Sequence, residues 1–378
     1  MRRIVSGLRV CTAGLAGLLA TSTSWAGYEL NMPRGVTDIS NEVYNLHMLI
    51  FYICCIIGVG VFGAMIFSMI KHRKSKGHQP ASFHESTTVE VVWTVIPFLI
   101  LIGMAVPAAK TLIAMENTDD ADITIKVTGY QWKWQYEYMD GDAEGIRFFS
   151  NLATPREQIQ NKQEKGEHYL LEVDNPVVVP VGKKVRFLLT SNDVIHAWWV
   201  PDLAVKKDAV PGFINEMWTR INEPGVYRGQ CAELCGRDHG FMPIEVVALE
   251  EAKYLDWVAE QKGAKEAAAA SADREWSQAE LLAKGEEVYK KNCAACHNVS
   301  GAGIPGVFPA ITGSSVVLGV AKKHVDIVMN GKNGTAMQAF AAQLSDADLA
   351  SVITYQRNAL GNAVGDVIQP SEIKAIRK

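Results

Sequence analysis

The sequence predicts a multidomain membrane protein, in which a two-helix transmembrane hairpin carries a β-sandwich and, beyond it, an all-α module. Three observations lead there. Two long apolar runs lie near the N-terminus, a middle region alternates polar and apolar residues between turn signals, and an alanine-rich stretch then hands over to helical periodicity. Of the 378 residues 48% are hydrophobic, yet the net charge is only -4, so there is no basic footprint of the kind that nucleic-acid binding requires.

The first segment reads as a targeting signal. Arg2, Arg3 and Arg9 form a basic start, residues 10–20 are apolar, and Ser24-Trp25-Ala26 offers a small-residue cleavage site, so residues 1–26 are expected to be removed. That apolar stretch is shorter than the ~20 residues needed to cross a bilayer. Two runs do meet the requirement. Residues 46–70 are almost continuously apolar, and residues 91–115 are interrupted only by Thr94, Lys110, Thr111 and two prolines. Lipid leaves a single segment no way to satisfy its backbone except as a helix, so residues 27–115 are expected to hold two spanning helices. The loop between them, Lys71-His72-Arg73-Lys74-Ser75-Lys76, is basic and belongs in the cytoplasm by the positive-inside rule. The rest of the chain then faces the outer, periplasmic side of a bacterial inner membrane.

Residues 116–260 carry strand signals. Residues 123–138 alternate, and Tyr130, Trp132, Trp134, Tyr136 and Tyr138 fall on one face of a single expected strand. Further strands are expected over 169–173, 177–181, 184–190, 216–221, 225–229 and 244–249, separated by Asp-Asn-Pro, Pro-Val-Gly and Glu-Pro-Gly turns. Many short strands with such turns predict an antiparallel sandwich or barrel.

The strongest chemical signal precedes the last of these strands. Cys231, Cys235, His239 and Met242 lie within twelve residues, and His196 stands upstream in Asp193-Val-Ile-His196-Ala-Trp-Trp. Sulfur donors with imidazole suit copper, zinc or an iron–sulfur cluster, and the thioether favours copper. A disulfide would leave the His and Met spacing unexplained, and structural zinc does without Met.

The pattern C-x-E-x-C-G-x-x-H-x-x-M, with the single His in D-V-x-H-x-W, resembles the binuclear copper (CuA) site of cytochrome c oxidase subunit II on its cupredoxin-like sandwich. The resemblance extends over Val89-Glu90-Val91-Val92-Trp93, Gly129-Tyr130-Gln131-Trp132-Lys133-Trp134 and Leu171-Glu172-Val173-Asp174-Asn175, and runs from about residue 41 to 257. It implies that Cys231 and Cys235 bridge two copper ions, with His196, His239, Met242 and the carbonyl of Glu233 completing the ligands. It also implies that the Glu233 side chain binds magnesium at the interface with subunit I, that Trp132 is the electron entrance, and that Glu90 marks the mouth of a proton channel.

Residues 261–275 are low in complexity and lack an apolar face, which marks a partly helical linker, and residues 276–378 form a second module. Cys293-Ala-Ala-Cys296-His297 matches the C-x-x-C-H attachment site for c-type haem. Helices are expected around 285–291 and 345–360. The run from Asn330 to Phe340 resembles the distal loop of small class I cytochromes c, which makes Met337 the sixth ligand; Met329, at helical spacing with His324, Val325 and Val328, is expected in the core. In many relatives Pro follows this Met, whereas here Gln338 does. The resemblance further implies that the carbonyl of Pro309 accepts a hydrogen bond from His297. Of the seven cysteines, Cys11 leaves with the signal, Cys54 and Cys55 lie in the first span, and the other four belong to copper and haem.

The implied function is a relay. A cytochrome c donor reduces the haem, and electrons pass through copper to subunit I, where oxygen is reduced with proton translocation; subunit III and membrane lipid are the other expected neighbours, and nucleic acid is not. A nitric-oxide-reducing complex with a copper subunit is the alternative, and the identity of the catalytic partner discriminates between them.

Overall fold

The computed structural model describes residues 31–79, 82 and 84–377; the expected signal at 1–26 lies outside them. Helix α1 spans Asp38–Lys71 and opens on a capping box, in which the Thr37 side chain accepts from the Ser40 N–H and the Ser40 side chain accepts from the Thr37 N–H. Helix α2 spans Thr87–Glu116 after Ser86. Their most apolar windows have mean hydropathies of 2.6 and 2.3 and contain no residue buried within the protein, which is the pattern of a surface made for lipid. Both helices extend beyond the apolar runs because their polar ends continue the backbone ladder outside the hydrocarbon.

The strands form two five-stranded sheets. The first has the order β3-β2-β1-β5-β8, from Arg147–Ser150 (β3), Lys133–Tyr138 (β2), Ile123–Tyr130 (β1), Lys184–Ser191 (β5) and Asn215–Arg220 (β8). The second has the order β4-β10-β9-β6-β7, from Val177–Pro180 (β4), Pro243–Leu249 (β10), Gly225–Cys231 (β9), His196–Val200 (β6) and Val205–Ala209 (β7). One core contains Ile125, Val127, Phe187 and Leu189 from the first sheet and Trp198, Val200, Ile244 and Val246 from the second, all fully buried. The result is a cupredoxin-like β-sandwich.

Three expectations about the strands need correction. The expected strand over 123–138 is a hairpin: β1 and β2 pair antiparallel with Tyr130 opposite Lys133, and Gln131 and Trp132 form the turn. Only Trp134, Tyr136 and Tyr138 remain on the buried face. Residues 169–173 are mostly turn, with one β-bridge, between Leu152 and Val173, in place of a strand. Nor is the sandwich wholly antiparallel, since β1 runs parallel to β5 and β10 parallel to β4.

Helix α4, Glu251–Ser271, buries Tyr254 and Val258 against the sandwich and continues through the alanine-rich stretch. A short helix, α3, spans Arg156–Ile159 in the β3–β4 connection. The C-terminal module contains α5 (Gln278–Asn292), α6 (Ala294–His297), α7 (Ser315–Leu318), α8 (Ala321–Asn330), α9 (Asp346–Asn358) and α10 (Pro370–Ile376). Capping boxes at Ser277 with Glu280 and at Ser345 with Asp348 start α5 and α9. These two helices cross at Gly285, where a Cβ would lie 2.2 Å from the carbonyl oxygen of Ser351, so any larger residue would force the helices apart. Leu281, Tyr289, Leu349 and Ile353 fill the core, and Met329 is buried there with His324, Val325 and Val328.

Candidate metal and haem sites

The loop between β9 and β10 folds back over the end of β6 and brings five candidate ligands together. The Cys231 and Cys235 sulfurs are 3.8 Å apart, well beyond the ~2.05 Å of a disulfide. His196 Nδ1 lies 3.9 Å from the Cys231 sulfur, while His239 Nδ1 and the Met242 sulfur each lie 3.5 Å from the Cys235 sulfur. The main-chain carbonyl of Glu233 is 3.4 Å from the Cys231 sulfur. Cys231, Cys235, His196 and Met242 are buried, whereas Glu233 is exposed.

Contact between the thiols governs their ionisation. The hydrogen bond from Cys235 holds Cys231 down at about 4 despite burial, and the same contact pushes Cys235 up, so the pair shares one proton. A site already inclined to hold a thiolate, with imidazole and thioether beside it, is a donor set suited to copper.

His196 is oriented from behind. Its Nε2 lies 2.9 Å from Asp193 Oδ1, which leaves Nδ1 directed at the thiols. Burial opposes the charged ring, but the bonds to Asp193 and Cys231 outweigh it and raise its pKa. Asp193 also accepts from the main-chain N–H groups of Gln131 and Val194, each at 2.7 Å, and these bonds with His196 hold its carboxyl below the usual range against the opposing effect of burial. A Cβ at Gly129 would lie 2.7 Å from His196 Cδ2, so glycine is needed for the imidazole to seat against β1. Sequence reading assigned no role to Asp193 or Gly129. The Asp three residues before the His was the available signal for the first, and nothing local signals the second.

A cavity of about 860 Å³ opens on the helical module, lined by Cys293, Cys296, His297 and Met337, but not by Met329. Its size lies within the ~300–1,000 Å³ typical of cofactor pockets. His297 Nδ1 donates to the Pro309 carbonyl at 2.8 Å, which orients the ring and leaves Nε2 available as a ligand. Attachment cysteines, an oriented imidazole and a thioether on one cavity fit a c-type haem.

The copper domain forms part of the wall of this cavity. Gln131, Trp132, Lys133 and Arg237 line it, and Trp132 donates from its indole N–H to the Cys235 carbonyl at 3.2 Å. The Arg237 guanidinium lies 5.7 Å from the Trp132 ring centroid. Glu90 stands apart from both sites, exposed in the first turn of α2.

The family described as "Cytochrome C oxidase subunit II, periplasmic domain" matches residues 123–249, and "Cytochrome C oxidase subunit II, transmembrane domain" matches residues 24–111. A probable cytochrome c oxidase subunit 2 of Rickettsia bellii (strain RML369-C) is 41% identical over 233 residues, covering 61% of this chain and 84% of that protein. The chain belongs to the cytochrome c oxidase subunit II family. Cytochrome c oxidase subunit 2 of Pneumocystis carinii is 40% identical over 241 residues, covering 63% of this chain and 96% of that one. The periplasmic domain of subunit II of cytochrome oxidase of Bradyrhizobium japonicum is 44% identical, covering 39% of this chain and 97% of that one, with a TM-score of 0.34. Residues 263–355 match "Cytochrome C oxidase, cbb3-type, subunit III", so a cytochrome c domain is joined to the subunit II chain. Membership implies a CuA copper centre in the sandwich, haem c in the helical module and subunit I as partner. Two membrane helices with a periplasmic-type domain fit a protein of the bacterial inner membrane.

Proposed function

We propose that this chain relays electrons from a cytochrome c donor, through a haem c and then a binuclear copper centre, to subunit I, where oxygen is reduced to water with proton translocation. The observation that carries this reading is the shared wall: Trp132 lines the cavity that holds the haem-attachment cysteines and hydrogen-bonds the carbonyl of the copper-loop residue Cys235. When bound, the haem iron and the copper pair each accept and release single electrons.

The residues of the chain hold and orient these groups. Cys293 and Cys296 would attach the haem, and His297 and Met337, on the same cavity, would hold its iron. Cys231, Cys235, His196, His239, Met242 and the Glu233 carbonyl would hold the copper pair, with the Nδ1 atoms of both imidazoles already turned toward the thiols. Trp132 is the electron entrance to the sandwich. On this reading the Glu233 carboxylate, exposed at the copper loop, holds magnesium against subunit I, and Glu90, exposed in the first turn of α2, admits protons from the cytoplasmic side. Subunit III and lipid surround the helices, and the two soluble modules stand on the periplasmic face.

Replacing Cys231 with Ser in the assembled oxidase tests the copper assignment. Both ions and the delocalised mixed-valence electron paramagnetic resonance signal should be lost together, while the c-type haem spectrum stays, because the haem residues belong to another module. Survival of that signal would overturn the ligand set.

A further inference from the structure

The residue after Met337 departs from the pattern of small cytochromes c, and the fold gives it a partner in the other module. Gln338 Nε2 donates to the main-chain carbonyl of Gln131 at 2.8 Å, across 207 positions of sequence. Gln131 in turn donates from its own Nε2 to the Cys235 carbonyl at 2.8 Å. The segment bearing Met337 is thus joined to the copper loop by two hydrogen bonds in series, neither of which involves Trp132.

A second glutamine holds the other side. The Lys133 ammonium donates to Gln343 Oε1, and Gln343 Nε2 lies 3.5 Å from Gln338 Oε1. Lys133 is buried between the modules, its Nζ 4.8 Å from the ring centroid of Phe149 on β3 and 5.4 Å from that of Phe340 in the helical module. The polarity of this chain is set at both ends, since an ammonium can only donate and a main-chain carbonyl can only accept. Each amide therefore has one orientation that satisfies its partners. Gln131 and Lys133 are the two chain neighbours of Trp132, so the haem module grips Trp132 from both sides.

We infer that Gln338 and Gln343 form a clamp that seats the haem module on the Trp132 turn and holds the Met337 segment against the copper loop. They are positioning residues. The step they serve is the transfer of one electron from ferrous haem to the oxidised copper pair, in which no covalent bond changes and no proton moves. Outside the clamp the two modules are also tied by an ion pair between Lys291 and Asp174, and partly by α4. The Lys291 end of this pair is half exposed, so the pair adds only modestly to holding the register.

The inference rests on the relay reading, and the test separates the two. In the intact oxidase, Gln338→Leu and the double variant Gln338→Leu/Gln343→Leu are compared with the parent after photochemical injection of one electron into the haem. Loss of one net hydrogen bond corresponds to roughly threefold to tenfold in the docked-to-undocked ratio, and the double variant should lose more. Haem-to-copper transfer should slow in that order and become more sensitive to solvent viscosity than in the parent. The haem reduction potential and the copper resonance signal should stay unchanged. Unaltered transfer in the double variant would overturn the clamp. A shifted haem potential in Gln338→Leu would also overturn it, by showing that Gln338 acts on Met337 ligation instead of docking. If the parent itself shows no haem-to-copper transfer, the relay reading fails first.

Discussion

Replacing Asp193 with Asn is the sharpest probe of how the copper site is held. The carboxylate serves three donors: Oδ1 accepts from His196 Nε2 at 2.9 Å and from the Val194 N–H at 2.7 Å, and Oδ2 accepts from the Gln131 N–H at 2.7 Å. Asparagine keeps the shape but exchanges one acceptor for an NH2 group. If its oxygen stays on His196, the Gln131 N–H faces a donor at the turn that carries Trp132. If the amide turns over, His196 must move its proton to Nδ1, the atom aimed at the thiols. The Asp193 side chain is only 20% exposed, so water does little to relieve either mismatch. A buried donor left unpaired costs ~1–3 kcal/mol, and lost support behind a ligating imidazole weakens metal affinity by about 10–100-fold. These ranges overlap. Asp193→Asn should therefore bind copper about tenfold or more weakly, measured by competition with a chelator of known affinity while the copper resonance spectrum is followed. Affinity within about threefold of the parent, with an unchanged spectrum, would refute the support assigned to Asp193.

Two further outcomes concern the haem module. Met337→His should lower the haem potential and change its spectrum, because nitrogen replaces a thioether, whereas Met329→Leu should affect stability alone; redox titration of both distinguishes them. His324 is buried, its Nε2 lies 2.8 Å from Gln356 Oε1, and burial pushes its pKa from 6.5 down to about 4. The unfolded chain takes up a proton as pH falls through 6.5 and the folded module does not until about 4, so His324 contributes fully above 6.5 and its contribution is lost on acidification. At about 1.4 kcal/mol per unit, denaturant unfolding should show roughly 3 kcal/mol less stability near pH 4, and His324→Leu should flatten that slope.

The candidate copper ligands stood out because four of them fall in one short loop, where chemistry and spacing reinforce each other. His196 comes from another strand; it was singled out upstream with the loop residues, and the resemblance then implied its role as a ligand. What supports it was hidden for a physical reason: Asp193 meets Gln131 across 62 positions, and Gly129 is required by a contact with a side chain of another strand. The β1–β2 hairpin was missed because alternation continues through Gln131 and Trp132 with no Gly, Pro or Asn to announce the turn. The alanine-rich stretch read as a partly helical linker by composition; alanine is the strongest helix former, and α4, anchored by Tyr254 and Val258, propagates through it to Ser271. Gln338 was noticed as a departure from a pattern. Its partner lies on a turn that sequence periodicity had placed inside a strand.

The central claim is that one chain carries an electron from haem to copper across the wall shared by its two soluble modules. Its most direct test is a flash-injection experiment on the assembled oxidase, reading the haem and copper absorption bands in the same transient. The relay predicts that the haem is reduced first and then reoxidised in step with copper reduction, with one rate constant describing both. A haem that stays reduced while copper remains oxidised, or copper that is reduced with no haem transient, would contradict it.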